Sequence, residues 1–66
     1  MDFYKRIKDL REEKNLSQTE LAKLTGISQS AITKWENRQR EPSLDGIIRL
    51  AKFFDVSSDY LLGLEE

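Results

Sequence analysis

The chain has 66 residues, 38% of them hydrophobic and 35% charged, with one Pro, three Gly and neither Cys nor His. That length gives one domain, residues 1–66, with a small core; the missing residue types exclude a disulfide framework, thiolate or imidazole metal ligands and an imidazole base, so no metal, cofactor or catalysis is expected. A net charge of −1 argues against a generic coat for polyanions.

Apolar residues recur at helical spacing, and no β-branched or aromatic run is bounded by turn signals, so the chain reads as all-α. The first helix runs from about Phe3 to Lys14, with Phe3, Ile7 and Leu10 on one stripe and Asn15 ending it. Ser17-Gln18-Thr19-Glu20 then fits a capping box, in which the serine hydroxyl takes the Glu20 N–H and the carboxylate returns to the N–H of Ser17. Gly26, free to turn left-handed, closes the second helix after Thr25. Ser28 caps a third helix of about Gln29 to Asn37, and Pro42 forbids its continuation past the Arg38 to Glu41 loop. Ser43 opens a fourth, with a broad apolar stripe of Leu44, Ile47, Ile48, Ala51 and Phe54. Ser57 or Ser58 caps a short fifth helix through Tyr60, Leu61 and Leu62 to Gly63.

The second and third helices are too short, and Thr25-Gly26-Ile27-Ser28 too tight, for an antiparallel hairpin; the spacing, about residues 18–37, is that of a helix-turn-helix. Ala22 is small where the two helices approach, while Ile27, Ile32 and Trp35 supply bulk from the other side. Leu16-Ser17-Gln18-Thr19-Glu20-Leu21-Ala22, Gly26-Ile27-Ser28-Gln29-Ser30-Ala31-Ile32 and Trp35-Glu36-Asn37 together resemble the Cro/CI-type (XRE) family of phage and bacterial transcriptional regulators. The likeness extends from Arg6-Ile7 through Glu41-Pro42-Ser43 to Asp59-Tyr60-Leu61-Leu62-Gly63. It implies a compact five-helix, phage-repressor-like domain that inserts its third helix in the major groove of double-stranded DNA.

The third helix supports that expectation by its own chemistry. At about 100° per residue from Gln29, the side chains of Thr33, Asn37, Ser30 and Lys34 share one polar face, opposite Ala31, Ile32 and Trp35. This face holds no acid and consists largely of amides and hydroxyls, which support an exposed helix less well than Glu, Lys or Arg. Gln29, Ser30, Lys34 and Thr33 are the candidates for reading base edges. The resemblance places a phosphate contact at Gln18, beside the free N–H groups of its helix start. Ser28, Asn37, Arg38 and Arg40 are further phosphate candidates, with solvated loop charge the competing reading for the arginines. Where Arg38 stands, family members often have a small residue. The resemblance also implies an ion pair between Arg11 and Glu36 that joins the first and third helices, with Arg11 still able to face a phosphate.

Charge is distributed unevenly: residues 1–40 hold nine basic and six acidic side chains, a balance of +3, and residues 41–66 come to −4. A polyanion would meet the first half, unless the charges serve solubility alone. One module contacts few base pairs, and the family binds approximately palindromic sites as twofold dimers, so a homodimer is expected. Val56, Tyr60, Leu61, Leu62 and Leu64 either form its interface or complete the monomer core. Apolar runs such as Leu61-Leu62 fall far short of the roughly 18 residues that cross a bilayer, and Met1-Asp2-Phe3-Tyr4 does not open a signal peptide. The expectation is therefore a cytoplasmic regulator that binds operator DNA, with no membrane or small-molecule partner. Repression is favoured because 66 residues leave little surface for recruiting polymerase. The alternative is an antitoxin or other protein-interaction module with the same fold.

Overall fold

A computed structural model describes residues 2–65, which form α1 (Phe3–Glu13), α2 (Gln18–Thr25), α3 (Gln29–Glu36), α4 (Leu44–Phe54) and α5 (Ser58–Leu61), with no strand among the described residues. Each helix starts at a short polar side chain that accepts an N–H left unpaired in the first turn. Asp2 takes Lys5 N at 3.0 Å, Ser17 takes Glu20 N at 3.0 Å, Ser28 takes Ala31 N at 3.1 Å, Ser43 takes Gly46 N at 3.0 Å and Ser57 takes Tyr60 N at 2.9 Å. Glu20 returns to the N–H of Ser17 at 2.8 Å, which completes the capping box. Loss of one such cap costs about 1 kcal/mol, a sizeable share of a small domain's stability.

The helix ends are as local as the starts. α2 closes on Gly26 (φ 76°), whose N–H reaches Ala22 O at 2.9 Å. The others close on Asn15 (φ 56°), Arg38 (φ 60°), Asp55 (φ 55°) and Gly63 (φ 77°). Behind each of these the next N–H folds back five residues: Leu16 to Arg11 O, Gln39 to Lys34 O, Val56 to Ala51 O and Leu64 to Asp59 O, at 2.8–3.1 Å. These are the bonds of Schellman motifs. α1 and α3 stop one residue before the expected Lys14 and Asn37, because both of those have left the helical region (φ −93°, ψ 5° and φ −90°, ψ 6°) to lead into the left-handed turn.

Phe3 and Ile7 of α1, Leu21 of α2, Ala31, Ile32 and Trp35 of α3, Leu50 and Phe54 of α4 and Leu61 of α5 converge with Ile27 in one core. α3 packs on α1 and α2, α4 on α2, and α5 on α1 and α4. The Trp35 ring meets Phe3 edge-on at 5.8 Å between centroids and donates its Nε1–H to Glu41 O at 3.2 Å. Leu61 is fully buried, so it completes the core; Val56, Tyr60 and Leu62 are half-buried and Leu64 is exposed. Arg6 lays its guanidinium 4.1 Å from the Tyr60 ring centroid, and its buried Nη1 has no hydrogen-bond partner among the described residues, so the ring face carries that contact between α1 and α5.

α4 sits differently from the expected stripe. Gly46, Leu50 and Phe54 face the core, Ile47 and Ala51 flank it, and Leu44 and Ile48 point outward. Asp45, Arg49 and Lys52 mark the solvent side, but the apolar stripe opposite them is wider than the face the core can cover, and the bulk of Trp35 decides which part of it is buried. A Cβ at Gly46 would overlap Trp35 Cη2 and lie 3.1 Å from Cζ2. Only a residue without one lets α4 approach the indole.

Candidate nucleic-acid interface

Helix α3 owes its position to a polar network anchored at the buried end of its outer face. Arg11 Nε and Nη2 each donate to a different Glu36 oxygen at 2.8 Å, and Nη1 donates to Leu16 O at 2.7 Å. The Arg11 and Glu36 side chains are 12% and 3% exposed, so this is a partly desolvated, bidentate pair. Its hydrogen bonds hold the Arg11 pKa above the ordinary value, against the opposing effect of burial. Glu36 Oε1 also accepts from Gln18 Nε2 at 3.1 Å, and Gln18 Oε1 accepts the Thr33 hydroxyl at 2.6 Å. The chain of bonds thus runs from α1 through α3 to α2 and back to α3.

The turn is fixed by a second set of bonds. Buried Thr25 donates its hydroxyl to Leu21 O at 2.7 Å and accepts Ile27 N at 3.3 Å, while Arg49 Nη1 caps Thr25 O at 3.1 Å. Together the two sets tie both ends of the α2–α3 unit to the body of the domain.

On that support Gln29, Ser30, Lys34 and Asn37 are all exposed on α3 or at its end, and Thr33 is half-buried at the seam with α2. Thr33 spends its one hydroxyl hydrogen on Gln18, leaving only acceptor capacity for a ligand. Gln18 is half-buried, with both amide atoms engaged; its second amide hydrogen and the helix-start N–H groups of Gln18 and Thr19 remain. Ser28 is exposed but serves as the α3 cap. Arg38 pairs with Asp2 at 2.8 Å and lies 5.3 Å from the Tyr4 ring centroid. Its left-handed backbone gives a physical reason for a small residue at this position. Arg40 and Lys34 are exposed and make no ion pair among the described residues.

One residue of this surface was missed by the sequence reading. Exposed Thr19 donates its hydroxyl to Gln29 Oε1 at 3.0 Å, joining the starts of α2 and α3. The capping box had marked Thr19 only as a helix-start residue; the bond depends on the crossing of two helices, for which the sequence carries no local signal.

Two short helices across a left-handed glycine, with a polar and cationic outer face on the second, define a helix-turn-helix module. The helix-turn-helix family model matches residues 7–61, and the chain belongs to that family, in its Cro/CI (XRE) branch. It is 39% identical over 66 residues to the HTH-type transcriptional activator BcrR of Enterococcus faecalis, covering all of this chain and 32% of that protein. Against repressor protein C2 of Salmonella phage P22 it is 37% identical over 57 residues, 86% of this chain and 26% of that one. The crystal structure of the restriction-modification controller protein C.AhdI from Aeromonas hydrophila superposes with a TM-score of 0.81 at 38% identity, over 91% of each chain. The chain therefore spans about a third or less of the two regulators but matches the controller protein almost end to end.

Proposed function

We propose that this chain is a single DNA-binding module, residues 1–66, that recognises a specific sequence in double-stranded DNA and regulates transcription from it. The observation that carries the reading is the outer face of α3: Gln29, Ser30 and Lys34 stand exposed and without acid, on a helix held by the buried Arg11–Glu36 pair. Gln29, Ser30 and Lys34 read base edges in the major groove, with Thr33 contributing an acceptor. Gln18, Ser28, Asn37 and Arg40 line the adjoining strand, and Arg38 joins them when phosphate displaces Asp2. Arg11 and Glu36 set the tilt of the helix.

The module acts as a homodimer on two half-sites, supported by the apolar side chains left exposed on and after α4, Leu44 (74% exposed), Ile48 (44%) and Leu64 (68%). Regulation without catalysis, in the cytoplasm where DNA is reached directly, fits the names of the relatives and favours a regulator over an antitoxin. No helix among the described residues is long and apolar enough to cross a membrane. Repression by occupying the operator is the mode favoured by the likeness to phage repressor C2; activation is the second reading, favoured by the likeness to BcrR.

Selection of bound duplexes from a random pool, with the mass of the complex measured in solution, tests the reading. A recurring, approximately palindromic site bound by two chains is the expected result, and Gln29→Ala should cost about 1–3 kcal/mol on that site alone. Equal weakening on selected and random DNA would remove Gln29 from base reading. A reporter placed behind the selected site separates repression from activation.

A further inference from the structure

We propose that Thr19 is a specificity-determining residue, which by holding the Gln29 carbonyl makes that side chain a hydrogen-bond donor and selects a base edge that accepts. The inference rests on the base-reading role proposed for Gln29. A glutamine free at both amide atoms pairs with adenine by donating to N7 and accepting from the N6 amino group. Gln29 is not free in this way: Oε1 already accepts the Thr19 hydroxyl hydrogen at 3.0 Å, and Nε2 has no partner among the described residues. The amide is therefore turned with its oxygen toward α2 and its two N–H groups available to a ligand.

Adenine meets only the donor half of such a group, because the oxygen, although it keeps a second lone pair, is turned toward α2 by the Thr19 bond. Guanine offers two acceptors in the major groove, N7 and O6, to two N–H donors. The same helix crossing that builds the α2–α3 unit thus sets the preference of Gln29 for guanine over adenine. Thr19 is exposed and lies at the second position of α2, so removing its hydroxyl leaves the core untouched.

The test compares base preference in wild type, Thr19→Val and Gln29→Ala, using duplexes selected by the wild-type protein and substituted one base pair at a time. The position Gln29 reads is the one whose preference Gln29→Ala flattens. Wild type should favour guanine over adenine there by about tenfold. Thr19→Val should cut that ratio below about threefold or reverse it, with an unchanged melting temperature and unchanged binding to random DNA. An unaltered base preference in Thr19→Val overturns the role of Thr19 while leaving that of Gln29. If Gln29→Ala flattens no position, the base-reading role falls and the inference with it. A wild-type preference for adenine or cytosine at that position means that Gln29 presents its oxygen, and also overturns the proposal.

Discussion

Replacing Glu36 with Gln keeps the shape of the side chain and removes the charge that the Arg11 guanidinium faces. In the folded protein Glu36 Oε2 accepts from Arg11 Nε and Oε1 from both Arg11 Nη2 and Gln18 Nε2. A glutamine amide can satisfy one side of this arrangement, but its NH2 group then confronts a donor. The guanidinium, on a side chain only 12% exposed, is left with little water and no counter-charge. Breaking a pair of this kind by removing one partner costs about 3–5 kcal/mol, whereas a domain of this length is stable by about 3–10 kcal/mol in total. With a urea slope of about 1 kcal/mol per molar, the unfolding midpoint should fall by about 3–5 M. The single Trp, Trp35, is 2% exposed and gives the fluorescence signal for the titration. Arg11→Met combined with Glu36→Leu strands no charge and should recover most of the loss. A Glu36→Gln midpoint within about 0.3 M of wild type, with DNA affinity intact, would refute the claim that this pair supports the recognition helix.

Gly46→Ala gains up to about 1 kcal/mol of helix propensity but drives a methyl into the Trp35 ring, at about 1–3 kcal/mol or more; a melting temperature at or above wild type would show that α4 can move aside. Arg40→Ala should reduce the slope of log binding constant against log salt by about one unit. Arg38→Ala should reduce it less, because Asp2 already neutralises that guanidinium; an unaltered slope for Arg40→Ala returns it to the solvated charges. The Asp2 carboxyl is held below its ordinary pKa chiefly by the Arg38 hydrogen bond, and that of Glu20 chiefly by the Ser17 N–H. A depressed folded-state pKa adds stability that is present above the ordinary carboxylate range, about pH 4, and is lost as pH falls through the lowered values. Asp2→Asn with Glu20→Gln should therefore flatten the decline of melting temperature below about pH 4, and an acid limb of undiminished steepness would assign the acid sensitivity to other groups.

The elements of this fold were legible because the signals that delimit them are short-range. A cap bonds three residues ahead and a left-handed residue closes the helix just behind it, so Ser17, Gly26, Ser28 and Ser43 act before any tertiary contact exists. The exposed face of α3 follows in the same way from helical periodicity, since Ala31, Ile32 and Trp35 leave it only one side to bury. Leu44 and Ile48 went astray for the converse reason: the apolar stripe of α4 is wider than the face the core can cover, so periodicity marks its polar side, Asp45, Arg49 and Lys52, without saying which part of the stripe is buried.

The amino-acid sequence by itself determined five helices, the tight turn between the second and third, and the polar face that the third presents. Only the tertiary structure decided which side of α4 meets Trp35, that Gly46 must lack a side chain, and that Asp2 reaches Arg38 and Thr19 reaches Gln29. These contacts depend on the crossing angles of helices packed to crystal-like density, where a shift of one methyl group changes which atoms meet. Helix starts and stops depend on bonds a few residues long, and the chain carries them locally from one cap to the next.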